Sequence, residues 1–151
     1  MLIISHRGNL NGPNKDYENK PQKIEEALLN GFDVEVDLWK KNSSFFLGHN
    51  KPEIKIHLDW LLSKEKSLWV HCKNLEAISY LSKNDINLNY FFHQSDDLTL
   101  TSRNFIWVYP KKDYSDNSVI VCKSDNEFKS LLKKTPYGIC TDNPFLLKSF
   151  I

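Results

Sequence analysis

Three stretches of this chain place charged and imidazole side chains within runs that otherwise read as apolar strands: ISHRG from Ile4, DVEVDLW from Asp33 and LWVHCKN from Leu68. Burying such groups is costly unless they are paired, bound to a metal or used at a site, so these positions are the first candidates for chemistry. Side chains alternate between the two faces of a strand. That period puts Glu35 and Asp37 on one face, with Val34, Val36 and Leu38 on the other. It likewise groups Trp69, His71 and Lys73 opposite Val70 and Cys72, while His6 and Arg7 end the first run and Gly8 permits a tight turn after them. Imidazole moves protons near neutral pH, and guanidinium and ammonium groups offset developing negative charge. Each feature has an ordinary alternative, a hydrogen-bonded core histidine or an exposed carboxylate-bearing strand face. Their joint occurrence at the ends of three strands argues for one shared site.

Further candidates lie in less regular surroundings. His49, in Gly48-His49-Asn50, follows SFFL, a short strand expected to pair back near the second one. It is either a catalytic imidazole or a solvated loop residue. His93 ends NYFFH before the polar loop QSDD, and Trp107 and Tyr109 alternate in FIWVYPKK, so these three are candidates to line a substrate pocket. Trp107 reads equally as core. Asp142, in CTDNP, either orients a first-strand residue or caps the turn.

The elements that must position these groups read as an alternation of strands and helices. Seven runs rich in Val, Ile, Phe and Trp, starting at Leu2, Asp33, Leu68, Asn89, Phe105, Ser118 and Gly138, are expected strands. PQKIEEALLNG has Pro21 suited to a first helical turn, Ile24, Ala27 and Leu28 on one face, and Gly31 as terminator. Asn74 is placed to cap LEAISYLSKN, and Ser124 with Glu127 has capping-box spacing before FKSLLKK. Alternation of this kind predicts an α/β fold with a mainly parallel sheet. A full eightfold barrel takes about 250 residues. With 151 residues, and gaps around Phe105 too short for crossover helices, the expectation is a reduced or incomplete TIM-barrel-like (β/α) barrel comprising residues 1–151 as a single domain. Active sites of such barrels gather at the C-terminal ends of the strands.

Composition narrows the function classes. The 20 basic and 19 acidic residues give a net charge of +1 and are scattered, so no single-sign field attracts nucleic acid or anionic lipid. The apolar start, Met1 to Ile4, is too short for a signal-peptide core of about 7 residues, and no stretch approaches the ~18 apolar residues of a membrane span. Cys72, Cys122 and Cys140 are odd in number and each sits singly in an apolar run, which fits buried free thiols in a reducing compartment. A soluble, cytoplasmic protein is expected, and a reduced barrel could cover exposed strand edges against a second copy.

ISHRGN, the EN-x-P of Glu18 to Pro21 before a helix, GFDVEVDLW, LGHNKP, the lysine-bearing HCKN and the closing GICTDNP together resemble the glycerophosphodiester phosphodiesterase family. Order and spacing agree from His6 through His49 and again at the last strand. The resemblance implies a phosphodiester hydrolase in which His6 and His49 act as general acid and base, Arg7 and Lys73 face the phosphate, and Glu35 and Asp37 hold a divalent metal ion such as Mg, Ca or Mn. The substrate would be a small phosphodiester. His71 stands where the family has a third carboxylate, which implies a mixed carboxylate and imidazole metal site and shifts preference towards Mn, Zn or Fe. Two other outcomes of the resemblance are a phospholipase C- or D-like lyase that stops at a cyclic phosphate, and a phosphate-binding module without turnover.

Overall fold

The computed structural model describes residues 1–151. β1 (Leu2–His6) is central, hydrogen-bonded in parallel to β2 (Asp33–Lys41) on one side and β10 (Gly138–Thr141) on the other. From β2 the parallel ladder continues to β5 (Leu68–Cys72) and β6 (Asn89–Phe91). From β10 it runs to β9 (Ser118–Cys122) and β8 (Ile106–Val108). All seven expected strands are therefore present, in the parallel order β6-β5-β2-β1-β10-β9-β8.

Three short strands run antiparallel. β3 (Ser44–Leu47) folds back on the far end of β2, as the SFFL pattern suggests, and β4 (Ile54–Ile56) extends it. β7 (Leu98–Leu100) pairs with β8. β4 and β7 escape sequence reading because Ile54–Ile56 and Leu98–Leu100 are short and flanked by polar residues, without the longer apolar runs that mark the equally short β6 and β8.

The sheet curls into an incomplete barrel. Its interior is filled by Ile4, Trp69, Phe91, Trp107, Val119, Val121 and Cys140, contributed by six strands. The ring of Trp107 on β8 lies 4.5 Å from Phe91 on β6 and 5.9 Å from Trp69 on β5, so opposite edges of the sheet meet through aromatic side chains. Between β6 and β7 there is a seam without a strand ladder. Ser102 bridges it, its backbone N–H donating to Tyr90 O at 2.8 Å and its Oγ accepting from Tyr90 N at 3.0 Å, and Thr99 Oγ1 donates to Phe92 O at 3.1 Å.

Helices back only part of this ring. α1 (Pro21–Leu29), α2 (Leu58–Leu62) and α3 (Leu75–Lys83) cover one side, burying Ile24, Ala27, Leu61, Ala77 and Leu81 in a 17-residue cluster with Val34, Val36 and Val70. Pro21 opens α1, and the Asn74 side chain caps α3 by accepting from Ala77 N at 3.2 Å, both as the sequence indicates. α4 (Phe128–Leu131) and α5 (Pro144–Lys148) seal a smaller cluster of Cys122, Phe128, Ile139 and Leu147. The capping box at Ser124 does not form. The segment begins as a 3₁₀ turn over Asp125–Glu127, and Ser124 takes the Glu127 N–H on its backbone carbonyl. No helix stands between β6 and β8 or between β8 and β9, so loops close that half of the barrel. The three cysteines are buried singly, and no helix is long and apolar enough to cross a membrane.

Candidate active site

Alternation along β2 and β5 delivers the central groups. Glu35 and Asp37 turn inward with almost no solvent exposure, and the register sets Glu35 beside Trp69 and Asp37 beside His71. β1 contributes His6, paired in register with Glu35. Just beyond it Arg7 adopts a left-handed backbone conformation with φ +55°, which is uncommon for a residue with a side chain. Two hydrogen bonds hold it there: Arg7 N donates to Glu35 O and Asn19 N to Arg7 O, both at 2.9 Å. Gly8 follows at φ +82°, where a Cβ would stand 3.0 Å from the Lys23 carbonyl carbon. The strand therefore turns sharply under the start of α1 and leaves the Arg7 side chain in the cleft.

Asp37 is the hub. Its Oδ2 lies 2.8 Å from Arg7 Nε, 3.0 Å from Asn19 Nδ2 and 3.2 Å from His49 Nδ1, and its Oδ1 lies 3.2 Å from both Lys73 Nζ and His71 Nδ1. Asn19 also fixes the backbone, its Oδ1 accepting from Asp37 N at 2.9 Å. Burial works to raise the Asp37 pKa, but the hydrogen bonds from His49 and His71 and the charges of Arg7 and Lys73 hold it well below the usual carboxylate range.

Two aspartate–imidazole pairs face the same cleft. His6 Nδ1 lies 2.7 Å from Asp142 Oδ1, and His49 Nδ1 stands against Asp37. The expected strand-end role of Asp142 is thus resolved in favour of orienting His6. Burial pulls the His6 imidazole down, and the hydrogen bond to Asp142 together with the charge of Glu35 more than reverses this, so its pKa is raised. Gly48 shapes the approach of His49: φ is +151°, and a Cβ there would meet Lys51 O at 2.2 Å.

Glu35, Asp37 and His71 offer one ligand atom each, all within 4.8 Å of one another. Glu35 Oε2 and Asp37 Oδ1 are buried and receive no well-aligned hydrogen bond. His71 Nε2 sits 3.1 Å from the carbonyl of His93, the arrangement that keeps the proton on Nε2 and turns the Nδ1 lone pair to the carboxylates. This donor set fits a divalent cation. In its absence burial would lower the His71 pKa, and hydrogen bonds to Asp37 and Glu35 instead raise it to about 9.

The cleft has a volume of about 560 Å³ and is lined by His6, Arg7, Glu35, His49, His71, Lys73, His93, Trp107 and Tyr109 among others, so every sequence-derived candidate except the fully buried Asp37 reaches it. Trp107 is only 4% exposed and belongs first to the barrel core, of which it forms the cleft floor. His93 stacks on His71 with ring centres 5.0 Å apart and meets Tyr109 edge-on at 6.1 Å. Sequence reasoning assigned no role to Glu18, which binds Arg7 NH1 at 3.0 Å, to Asn19 or to Lys123. The EN-x-P stretch was the available signal for the first two, and for Lys123 it was the strand phase.

Neither models of known families nor characterised proteins match this sequence. Solved structures do. A glycerophosphoryl diester phosphodiesterase from Parabacteroides distasonis superposes with a TM-score of 0.63 at 13% identity, over 98% of this chain and 85% of the other. A glycerophosphodiester phosphodiesterase from Agrobacterium tumefaciens gives 0.63 at 12% identity, over 99% of this chain and 98% of the other. The chain thus has the fold of the glycerophosphodiester phosphodiesterases, as an incomplete barrel whose strand ends converge on one polar cleft.

Proposed function

We propose that this protein hydrolyses small phosphodiesters, with His6 and His49 as the proton-transfer pair. The observation that carries the reading is that two imidazoles, each oriented by an aspartate, share a cleft with Arg7, Lys73 and a carboxylate cluster. Binding a phosphate requires cations alone. Two imidazoles held by carboxylates at the same cleft suit a reaction in which one proton is removed and another delivered.

The raised pKa of His6 suits the acid, which protonates the leaving alcohol through Nε2 while Asp142 accepts from Nδ1–H. His49, held by Asp37 through Nδ1, takes through Nε2 the proton of the attacking oxygen, which is a neighbouring substrate hydroxyl or, where the substrate has none, water. Arg7 and Lys73 offset the negative charge that grows on the phosphoryl oxygens. Glu35, Asp37 and His71 would hold a divalent cation, which when bound supplies further positive charge at the phosphate. His93 and Tyr109 form the wall along which the substrate alcohol lies.

Turnover of bis(para-nitrophenyl) phosphate tests this directly. Wild type should release nitrophenol and lose most activity in chelator, with recovery on adding Mn or Mg. Absence of turnover of both this ester and a glycerol phosphodiester with every divalent ion tried would overturn the reading. Phosphorus NMR of a glycerol phosphodiester reaction then distinguishes a linear product from a persistent cyclic one.

A further inference from the structure

Three lysine or arginine side chains line the cleft, and they are not equivalent. Arg7 is engaged by Glu18 and Asp37, and Lys73 by Asp37. Lys123 has no carboxylate oxygen within 4.0 Å. Its Nζ donates to Tyr109 Oη at 3.3 Å and stands 4.9 Å from the centre of that ring.

Its position follows from strand phase. Val119 and Val121 on β9 point into the barrel, and Lys123 is next in the same alternation, just past the strand end. Trp69, His71 and Lys73 make the same progression on β5. Around the ring, β9 is reached from β5 through β2, β1 and β10, or through β6, β7 and β8, so Lys123 stands across the mouth from Lys73. A second recess of about 370 Å³, lined mostly by polar residues, shares Pro13, Lys123 and Asp142 with the cleft. In that recess Asp142 is paired with His6 and Asn9, but Asp125 accepts only from the neutral Asn143 amide and keeps its charge, so an anion held by Lys123 belongs on the cleft side rather than in the recess.

We infer that Lys123 is a specificity residue: it binds a further anionic group, phosphate or carboxylate, carried by the second alcohol of the substrate, on the opposite side of the mouth from the scissile phosphorus. This rests on the phosphodiesterase reading and adds the substrate class to it. A cationic or apolar headgroup gains nothing from an unpaired ammonium, whereas an anionic one gains a charge-assisted hydrogen bond, with the Tyr109 hydroxyl beside it as a second donor.

The test compares kcat/KM for three glycerol phosphodiesters, in which the second alcohol is glycerol 3-phosphate, glycerate or choline. Wild type should favour the two anionic substrates, and the ordering of phosphate against carboxylate identifies the preferred anion. Lys123→Ala should lower the anionic-to-choline ratio about three- to tenfold, mainly through KM, as expected for a partly exposed ion pair strengthened by a cleft. Lys123→Glu should invert the preference. Melting curves check that both variants fold. An unchanged ratio in both variants, or an equal loss on all three substrates, would overturn the inference. An enzyme that cleaves bis(para-nitrophenyl) phosphate but shows no such discrimination refutes this inference alone, whereas no turnover of any diester refutes the functional reading as well.

Discussion

At the scale of single residues, the proposed acid and base roles of His6 and His49 rest on the aspartate that each imidazole faces. Replacing either histidine with alanine should cut kcat by about 10²- to 10⁴-fold, the usual worth of positioned acid–base catalysis, with the far-ultraviolet spectrum unchanged. His6 must carry its proton to act as acid, so activity should fall as pH rises through its raised pKa. Asp142→Asn removes one cause of that rise and leaves burial to pull the value down. The alkaline limb of the kcat/KM profile should therefore move to lower pH, and a limb that stays in place would separate His6 from the acid role. Residue chemistry was the most legible part of the sequence. His6, Glu35, Asp37, His71 and Lys73 stand where strand alternation put them, because period 2 survives whatever the surrounding loops do, and Arg7 follows at the strand end through a left-handed turn. Asn19 reaches Asp37 and Glu18 reaches Arg7 through a turn whose path no local pattern encodes, whereas Asp142 was readable as a candidate to orient a first-strand residue, though not as the partner of His6.

Among the elements, the end of β2 depends on α3. Asn74 caps the helix through Ala77 N and also clamps the strand, donating to Lys40 O at 2.7 Å and accepting from Lys40 N at 3.2 Å. Asn74→Ala loses a cap worth about 1 kcal/mol and two strand contacts besides. It should lower the unfolding free energy by about 1–2 kcal/mol, seen as a lower urea midpoint at unchanged slope, while the candidate active site three residues away from Lys40 stays assembled, which residual kcat would show. The cap and the first helix were readable because Asn and Pro act locally. The capping box at Ser124 was not formed because spacing alone does not fix whether the first turn is α or 3₁₀, and here tertiary packing of Phe128 decides.

For the whole molecule, the buried polar cluster makes stability depend on pH. His71 has a folded pKa of about 9 without a metal ion, against an unfolded value near 6.5. A raised folded pKa stabilises fully below the unfolded value and is lost as pH climbs to the folded one, so the window is about pH 6.5 to 9. Urea unfolding in chelator should show wild type losing stability across that window, and His71→Gln should flatten the slope. The barrel itself was anticipated from alternating strands and helices and from a length that leaves no room for all the outer helices. The strand at the seam was not, since β7 is a short segment between polar residues and its Leu98 and Leu100 face solvent.

That three-residue strand has a further meaning for how the ring holds together. Where every other neighbouring pair shares a run of main-chain bonds, β6 and β7 meet only through one backbone bond and the hydroxyls of Ser102 and Thr99. Amides along β6 and β7 should accordingly exchange with deuterium ahead of those in β1, β2 and β10, and the wall that bends first when a bulky diester enters is the one beside His93 rather than the one that carries His6 and Asp37.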